Sequence, residues 1–536
     1  MRVLGIEGTA WAASAALFDA DADDVFVETD AYQPESGGIH PREAAEHMGD
    51  AVPRVVATVL DRADGDVDAV AFARGPGLGP CLRIVGTAAR SLALTLDVPL
   101  VGVNHMVAHL EIGRHRSGFD APVCLNASGA NAHLLGYRDG RYRVLGETMD
   151  TGIGNAIDKF TRHLGWSHPG GPKVETRARE GEYVELPYVV KGMDFSFAGI
   201  ASAAQDAVDA GTPVADVCRG LQETTFAMLT EVSERALSLT GADELVLGGG
   251  VGQNERLREM LRTMCGERGA EFYAPEPRFL RDNAGMIAVL GARMYEAGDT
   301  LPIEESAVDP DFRPDEVPVT WRDDRSVARR PARDPAEVRG AEALVRIERD
   351  RVVKERLPKA YRHPALDDRL RRERTRSEAR LTSEARRQGV PTPVVVDVDP
   401  REGRLVLSRV GDRDLAAALD GADPSPARHA RRVGAHLARC HAAGVVHGDP
   451  TTRNVRVGAG GTDGRVYLID FGLGYRSRHV EDHAMDLHVF DQSVAGTVDD
   501  PDPLRDAARE GYVAARDGAD AVLTRLEDVE GRGRYR

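Results

Sequence analysis

Residues 244–254 read ELVLGGGVGQN, an apolar run that halts at three glycines, Gly248, Gly249 and Gly250, and ends on Asn254. The pattern recurs upstream in VLGIEGT (3–9), AVAFARGPGLGP (69–80) and VCLNASGANAH (123–133). Short apolar runs that stop at Gly-rich turns, alternating with helical patterns such as Ala198 to Ala210, predict an α/β fold whose loops gather at the strand ends. This character lasts to about residue 320. From Phe312 to Val338 the sequence FRPDEVPVTWRDDRSVARRPARDPAEV is rich in Pro, Arg and Asp, which marks the best candidate linker.

At 536 residues and 57.9 kDa the chain exceeds one ordinary core, so two or three domains are expected. A formal charge of −17 with 42% apolar residues describes a soluble globular protein. Only five of the 69 basic residues are lysine, namely Lys159, Lys173, Lys191, Lys354 and Lys359. This Lys-poor, Asp-rich usage is similar to that of haloarchaeal proteins. Overall acidity argues weakly against nucleic-acid binding, so local basic patches matter more. The five scattered cysteines contain no Cys-x-x-Cys pair and fit a reducing, cytoplasmic setting. The N-terminus does not read as a signal peptide, and no apolar run is long enough to span a membrane.

In the second half, AEALVRIERDRVVKERL reads as a β-hairpin, residues 369–387 as a long charged helix, and GRVYLIDFG as a strand. His447-Gly448-Asp449 is followed by Asn454 and later by Asp470-Phe471-Gly472. That order and spacing suit phosphoryl transfer: Asp449 orients the attacking group, while Asn454 and Asp470 hold Mg²⁺ on the phosphates of ATP. Lys354 is the candidate for the α and β phosphates, with Glu378, or else Glu384, as its partner. The nucleotide loop keeps only Gly340, and no Ala-Pro-Glu segment follows Asp470. Over 336–536 this half resembles the Bud-type (piD261-like) atypical kinases of the KEOPS complex. The resemblance implies a small α+β kinase-like domain that acts chiefly as an ATPase beside a tRNA-modifying partner. Arg369 to Arg387 suit either phosphate backbones or a solvated salt-bridged face, and the tail Arg532 to Arg536 favours RNA.

In the first half, His105 and His109 stand four residues apart, which puts two imidazoles on one helical face and lets them share a metal. A zincin needs Glu right after the first histidine, and Met106 stands there, so a protease is excluded. Alone, such a pair is more often structural than ligating. However, GPGLGPCLRIVG, NHMVAHLE, ASGANAH, GIGNAIDKFTRHLG, HPGGPKVE, KGMDFSFAGI, LGGGVGQNERL and RDNAGMIA occur in an order that resembles the universal tRNA threonylcarbamoyltransferase family over about 1–320.

This resemblance implies an actin/Hsp70-like fold of two related α/β lobes closing on a nucleotide. It implies transfer of threonylcarbamoyl from threonylcarbamoyl-adenylate to the exocyclic amine of adenosine 37 in tRNAs that read codons beginning with A. A metal, usually iron, is implied on His105, His109 and Asp282, although imidazole and carboxylate ligands suit zinc as well. The loop Asn126, Ala127, Ser128, Gly129 and Ala130 is placed near the acyl phosphate, with Asp158, Gly171, Glu175 and Asn254 on ribose and adenine. Asn126 replaces a customary tyrosine ligand, and Ala130 replaces a glycine. No general base for the adenine amine is evident.

The expected architecture is therefore a two-lobed α/β domain at 1–322, a linker at 323–336 and a kinase-like α+β domain at 337–536. Expected partners are tRNA, ATP and further KEOPS subunits of the Cgi and Pcc types, with no membrane. Two rivals stay open: a transferase or small-molecule kinase acting on a metabolite and joined to a regulatory kinase, and a scaffold whose second half merely binds ATP.

Overall fold

The computed structural model describes residues 1–32, 41–129, 131–138, 140–322, 337–420, 425–458, 464–498 and 500–530. They separate into two compact units, residues 1–189 with 193–330, and residues 190–192 with 331–533. Ala130, the expected linker 323–336 and the basic tail 532–536 lie outside the described residues.

The first unit contains two five-stranded sheets. In one, β1 (Arg2–Glu7) pairs antiparallel with β2 (Ala12–Asp19), and β2 pairs antiparallel with β3 (Asp24–Ala31). On its other side β1 runs parallel to β4 (Ala69–Gly75), and β4 runs parallel to β5 (Leu100–Asn104). The other sheet repeats this plan. There β6 (Val123–Ala127), β7 (Ala132–Arg138) and β8 (Arg141–Glu147) form an antiparallel meander, and β6 runs parallel to Glu244–Gly248, itself parallel to Glu271–Tyr273. The same order of a meander plus two parallel strands, found twice, is the two-lobed actin/Hsp70-like architecture. β1 and β6 are covered on both faces, which is why they read as unbroken apolar runs rather than as alternation.

The helix His105–Ser117, α3 here after α1 (Pro41–Ala63) and α2 (Gly79–Leu96), starts directly at the end of β5. Asn104 caps it, accepting the N–H groups of Met106 and Val107 at 3.0 and 3.1 Å. Its residues His105 to Gly113 are all buried, because one apolar cluster draws on both sheets and on Val107, Ala108, Leu110 and Ile112 of this helix. Two histidines of α3 are thereby placed in the interior between the sheets.

Of the Pro- and Arg-rich stretch 312–338, the part up to Arg322 belongs to the first unit's core. Val317 is buried, Phe312, Val319 and Trp321 pack on the first unit's core, and Arg322 pairs with Glu111 at 3.3 Å and covers the Tyr137 ring at 3.8 Å. Pro and Arg made this segment look like linker, yet its alternate apolar residues fold back onto the core.

The second unit has a five-stranded antiparallel sheet in the order Glu337–Arg339, Leu344–Ile347, Arg351–Glu355, Arg404–Ser408, Val395–Asp399. The expected hairpin is present, with Val345 opposite Lys354. The helix Pro364–Arg387 follows, then a helical region that includes Pro426–Ala442, Val480–Ala495, Asp502–Ala515 and Ala519–Glu530. Only residues 473–479 separate Gly472 from the helix at Val480, which leaves little length for an activation segment.

Candidate metal and nucleotide sites

In the first unit, His105, His109 and Asp282 offer ligand atoms that all lie within 4.8 Å of one another. Asp282 Oδ1 is 3.5 Å from His105 Nε2 and 3.2 Å from His109 Nε2. Donors about 2.1 Å from one ion and roughly 100–110° apart stand about 3.2–3.4 Å from each other, so the spacing fits a shared divalent ion. Two more side chains orient these groups. Glu7 Oε2 is 3.1 Å from His105 Nδ1, and Trp11 Nε1 donates to Asp282 Oδ2 at 3.1 Å. An acceptor behind a ligating imidazole fixes its tautomer, as metal sites require. Glu7 ends β1 and Trp11 lies in the β1–β2 turn, and nothing in the sequence flagged either.

The electrostatics also suit a cation. Burial disfavours charge on His105, but Glu7 and Asp282 overcome it and push its pKa up to about 10. Burial and the neighbouring His105 hold His109 below its ordinary value, Asp282 acting only partly against them. Burial tends to raise Asp282, and hydrogen bonds from the two histidines outweigh it and keep the carboxyl well below the usual range. Positive charge is thus favoured at His105, between Glu7 and Asp282, where a metal ion would supply it instead. Two imidazoles and a carboxylate in this geometry fit iron or zinc.

The expected nucleotide residues form a second group. Asp158 Oδ1 accepts the Gly170 N–H at 2.8 Å, and its Oδ2 is 3.0 Å from His168 Nδ1. A side chain at Gly170 would stand 2.1 Å from Thr161 Oγ1, whereas one at Gly171 would meet open space. Packing therefore requires glycine at 170, and Gly171 leaves an open approach at the start of the helix Gly171–Ala178. Glu175 Oε1 accepts the Glu255 N–H at 3.2 Å, and Asn254 caps that same helix end through the N–H of Arg256 at 2.9 Å. Glu175 and Asn254 therefore both act at the N-terminus of the helix Glu255–Arg268. The carboxylate of the fully buried Glu223 takes Arg256 at 2.9 and 2.8 Å, a support the sequence did not reveal.

Gly249 has φ of 83°, and a Cβ there would stand 2.3 Å from the Ala127 carbonyl. The three-glycine turn thus lies directly on the 126–129 loop, an approach open only to glycine. In that loop Ser128 Oγ is engaged with its own turn, donating to Asn131 O at 2.7 Å. Asn155 N–H donates to Gly129 O at 2.9 Å, which ties the loop to the helix carrying Asp158. Asn126 is buried, and its Oδ1 has no hydrogen-bond partner among the described residues.

In the second unit Lys354 Nζ is 3.1 Å from Glu378 Oε1 and 2.5 Å from Asp470 Oδ1. Glu384, the other candidate, pairs instead with Arg476. Burial works against charge on Lys354, and the Asp470 and Glu378 charges raise its pKa regardless. Arg356, 2% exposed at its side chain, joins Glu378 Oε2 at 2.5 Å. Asp470 adopts φ of 65°, and its Oδ1 also accepts the Gly472 N–H at 3.2 Å. Asn454 Nδ2 donates to the carbonyl and carboxylate of Asp449 at 2.9 and 2.8 Å. Gly340 lies in the turn between the strands Glu337–Arg339 and Leu344–Ile347, its N–H donating to Ala343 O at 2.9 Å, and Lys359 Nζ holds Ala341 O at 2.5 Å.

The loop bearing Asp449 is held from behind. Buried Asp486 accepts the N–H groups of His447 and Gly448 at 2.7 and 2.8 Å and also pairs with His441 at 2.9 Å. Arg356 and Asp486 were not singled out in the sequence: Arg356 stands two residues after Lys354 with nothing local to show that it meets Glu378, and Asp486 lies on the helix Val480–Ala495, away from the loop it holds.

The family described as "TsaD: tRNA N6-adenosine threonylcarbamoyltransferase" matches residues 23–289. A protein of Haloarcula marismortui described as "Probable bifunctional tRNA threonylcarbamoyladenosine biosynthesis protein" is 68% identical over 100% of both chains. The chain belongs to this bifunctional family. A relative with the same description from Halobacterium salinarum is 70% identical over 100% of this chain and 99% of its own. One from Methanospirillum hungatei is 51% identical over 99% of each. The bifunctional tRNA threonylcarbamoyladenosine biosynthesis proteins thus share both halves of this chain, and the first unit is a TsaD-type transferase domain. Among the described residues no helix is long and apolar enough to cross a membrane.

Proposed function

We propose that the first unit transfers threonylcarbamoyl from threonylcarbamoyl-adenylate to N6 of adenosine 37 in tRNAs reading codons that begin with A, in the cytoplasm and within KEOPS. The second unit binds ATP and Mg²⁺ and supports the transfer as an ATPase. The observation that carries the reading is the meeting of His105, His109 and Asp282 in a chain related over its whole length to bifunctional tRNA-modification proteins.

A mixed carbamoyl-phosphate anhydride is already activated, so the protein's tasks are positioning and charge stabilisation. His105, His109 and Asp282 would hold the metal, which when bound supplies Lewis-acid polarisation of a carbonyl or phosphoryl oxygen. Asp158 and Glu175 offer carboxylates to ribose hydroxyls, Gly171 leaves room beside them, and Asn254 presents an amide to the base. The loop Asn126 to Gly129 faces the acyl phosphate. In the second unit, Lys354, held by Glu378, takes the α and β phosphates, Asn454 and Asp470 take Mg²⁺, and Asp449 orients the attacking group. The exposed Arg376, Arg380 and Arg387 on Pro364–Arg387 present a basic face to tRNA phosphates. Further KEOPS subunits, of the Cgi and Pcc types, complete the assembly.

The test supplies the protein with tRNA, threonine, bicarbonate, ATP, the adenylate-forming enzyme and the smaller subunits in high salt. Threonine label enters tRNA at position 37. Label in carbamoylated small molecules, with none in tRNA, supports a metabolite transferase instead.

A further inference from the structure

We propose that His133 is an additional ligand of the metal held by His105, His109 and Asp282, so that this chain presents three imidazoles and one carboxylate. The proposal rests on the reading of that trio as a metal site.

The argument begins with strand register. Gly248, Asn126 and His133 are direct partners across three neighbouring strands, Gly248 with Asn126 and Asn126 with His133. Paired residues project from the same face of a sheet, with Cβ atoms about 4.5–5.5 Å apart in an antiparallel pair. A Cβ built at Gly248 points at His109 Cβ, 3.7 Å away, and at Asn126 Oδ1, 3.5 Å away. The face that carries Asn126 and His133 is therefore the face covered by the start of α3, where the metal-binding histidines stand.

His133 is 2% exposed, and neither of its ring nitrogens has a hydrogen-bond partner among the described residues. A buried imidazole without partners is costly, and native interiors rarely keep one without a reason. His109 and His105 lie near enough to act on it, and a ligating imidazole binds through the lone pair of its neutral ring. In this structure its nitrogens stand outside the group of atoms within 4.8 Å. Ligation thus takes a rotation of the side chain, and that rotation breaks no hydrogen bond.

Asn126 is the weaker candidate. Its Oδ1 lies against the three-glycine turn, 2.6 Å from where a Cβ of Gly249 would be, and imidazole suits iron or zinc better than an amide oxygen does. The pair Asn126 and His133 then moves the ligand to the neighbouring strand at the same register.

The test loads the full chain with Co(II) or Zn(II) and counts imidazoles by multiple scattering in X-ray absorption. Three are expected in the natural protein and in Asn126→Ala, and two in His133→Gln and His133→Leu, with metal affinity at least about tenfold lower. Equal thermal melting of the metal-free proteins shows that the variants fold alike, and the imidazole count is read whether or not melting changes. Two imidazoles in the natural protein, or a count unchanged in both His133 variants, overturns the proposal while leaving the trio intact. No metal bound by the natural protein overturns both.

Discussion

Replacing Glu378 by alanine leaves two buried cations facing each other. Lys354 and Arg356 side chains are 8% and 2% exposed, and Glu378 Oε1 and Oε2 are 3.1 and 2.5 Å from them. Asp470 remains 2.5 Å from Lys354, but its side chain is 37% exposed, and it is the one carboxylate left for two buried cations that Glu378 had paired. Removing one partner of a buried ion pair costs about 3–5 kcal/mol. For a unit of this size that lowers Tm by about 2–4 °C per kcal/mol, hence roughly 6–20 °C. Glu384, which pairs with the 56% exposed Arg476, sets the control, since exposed pairs contribute about 0–1 kcal/mol. Buried pairs are screened little by salt, so the contrast persists at high ionic strength. Calorimetry of the full chain, with hydrogen exchange along Pro364–Arg387 to assign the transition, reads both variants. Equal melting of Glu378→Ala and Glu384→Ala refutes the argument.

Asp486→Ala removes two backbone hydrogen bonds to a carboxylate, each about 1.5–3 kcal/mol, and loosens the loop of Asp449; denaturation should show a loss of about 3 kcal/mol or more, and ATP hydrolysis should fall although Asp486 is only a positioning residue. Gly249→Ala, at φ 83° and ψ 154°, forces backbone that essentially only glycine adopts, at about 1–3 kcal/mol, and a clash with Ala127 O, so melting falls and tRNA transfer is lost, whereas Gly118→Ala, at φ 74° but with open space at its Cβ, lowers melting and spares transfer. Asp194 gives a pH signature: burial first, then the Glu147 charge, raise its carboxyl to about 7 against the Glu147 N–H that lowers it. Between the ordinary carboxylate value and about 7 the folded form keeps a proton that the unfolded form has released. Stability therefore falls as pH rises through that window, and Asp194→Asn should flatten the Tm profile across it.

How much of this was legible depended on whether a feature is local. The strand-and-glycine pattern of 244–254 and its relatives is local, and it led to the α/β fold because β1 and β6 are buried on both faces, while the two lobes came from the resemblance carried by the ordered motifs. The His105 and His109 spacing is one helical turn, readable as soon as a helix is supposed, while Asp282 needed the ordered motifs. Glu7, Trp11, His133, Arg356 and Asp486 act across elements, and no spacing in the chain announces which strand will lie beside which helix. Phe312 to Arg322 fell within the stretch whose Pro, Arg and Asp content marked it as candidate linker, and the packing of Val317 and Trp321 shows only in three dimensions. Between Glu378 and Glu384, both plausible on one helix, the choice turned on which helical face meets Lys354.

The most direct measurement follows two signals in one reconstituted, high-salt reaction: threonine label entering tRNA and phosphate released from ATP. Asp282→Ala should lose the label while still releasing phosphate, and Asp449→Ala should lose phosphate release. Asp282→Ala that labels tRNA as fast as the natural protein, or Asp449→Ala that hydrolyses ATP undiminished, contradicts the account.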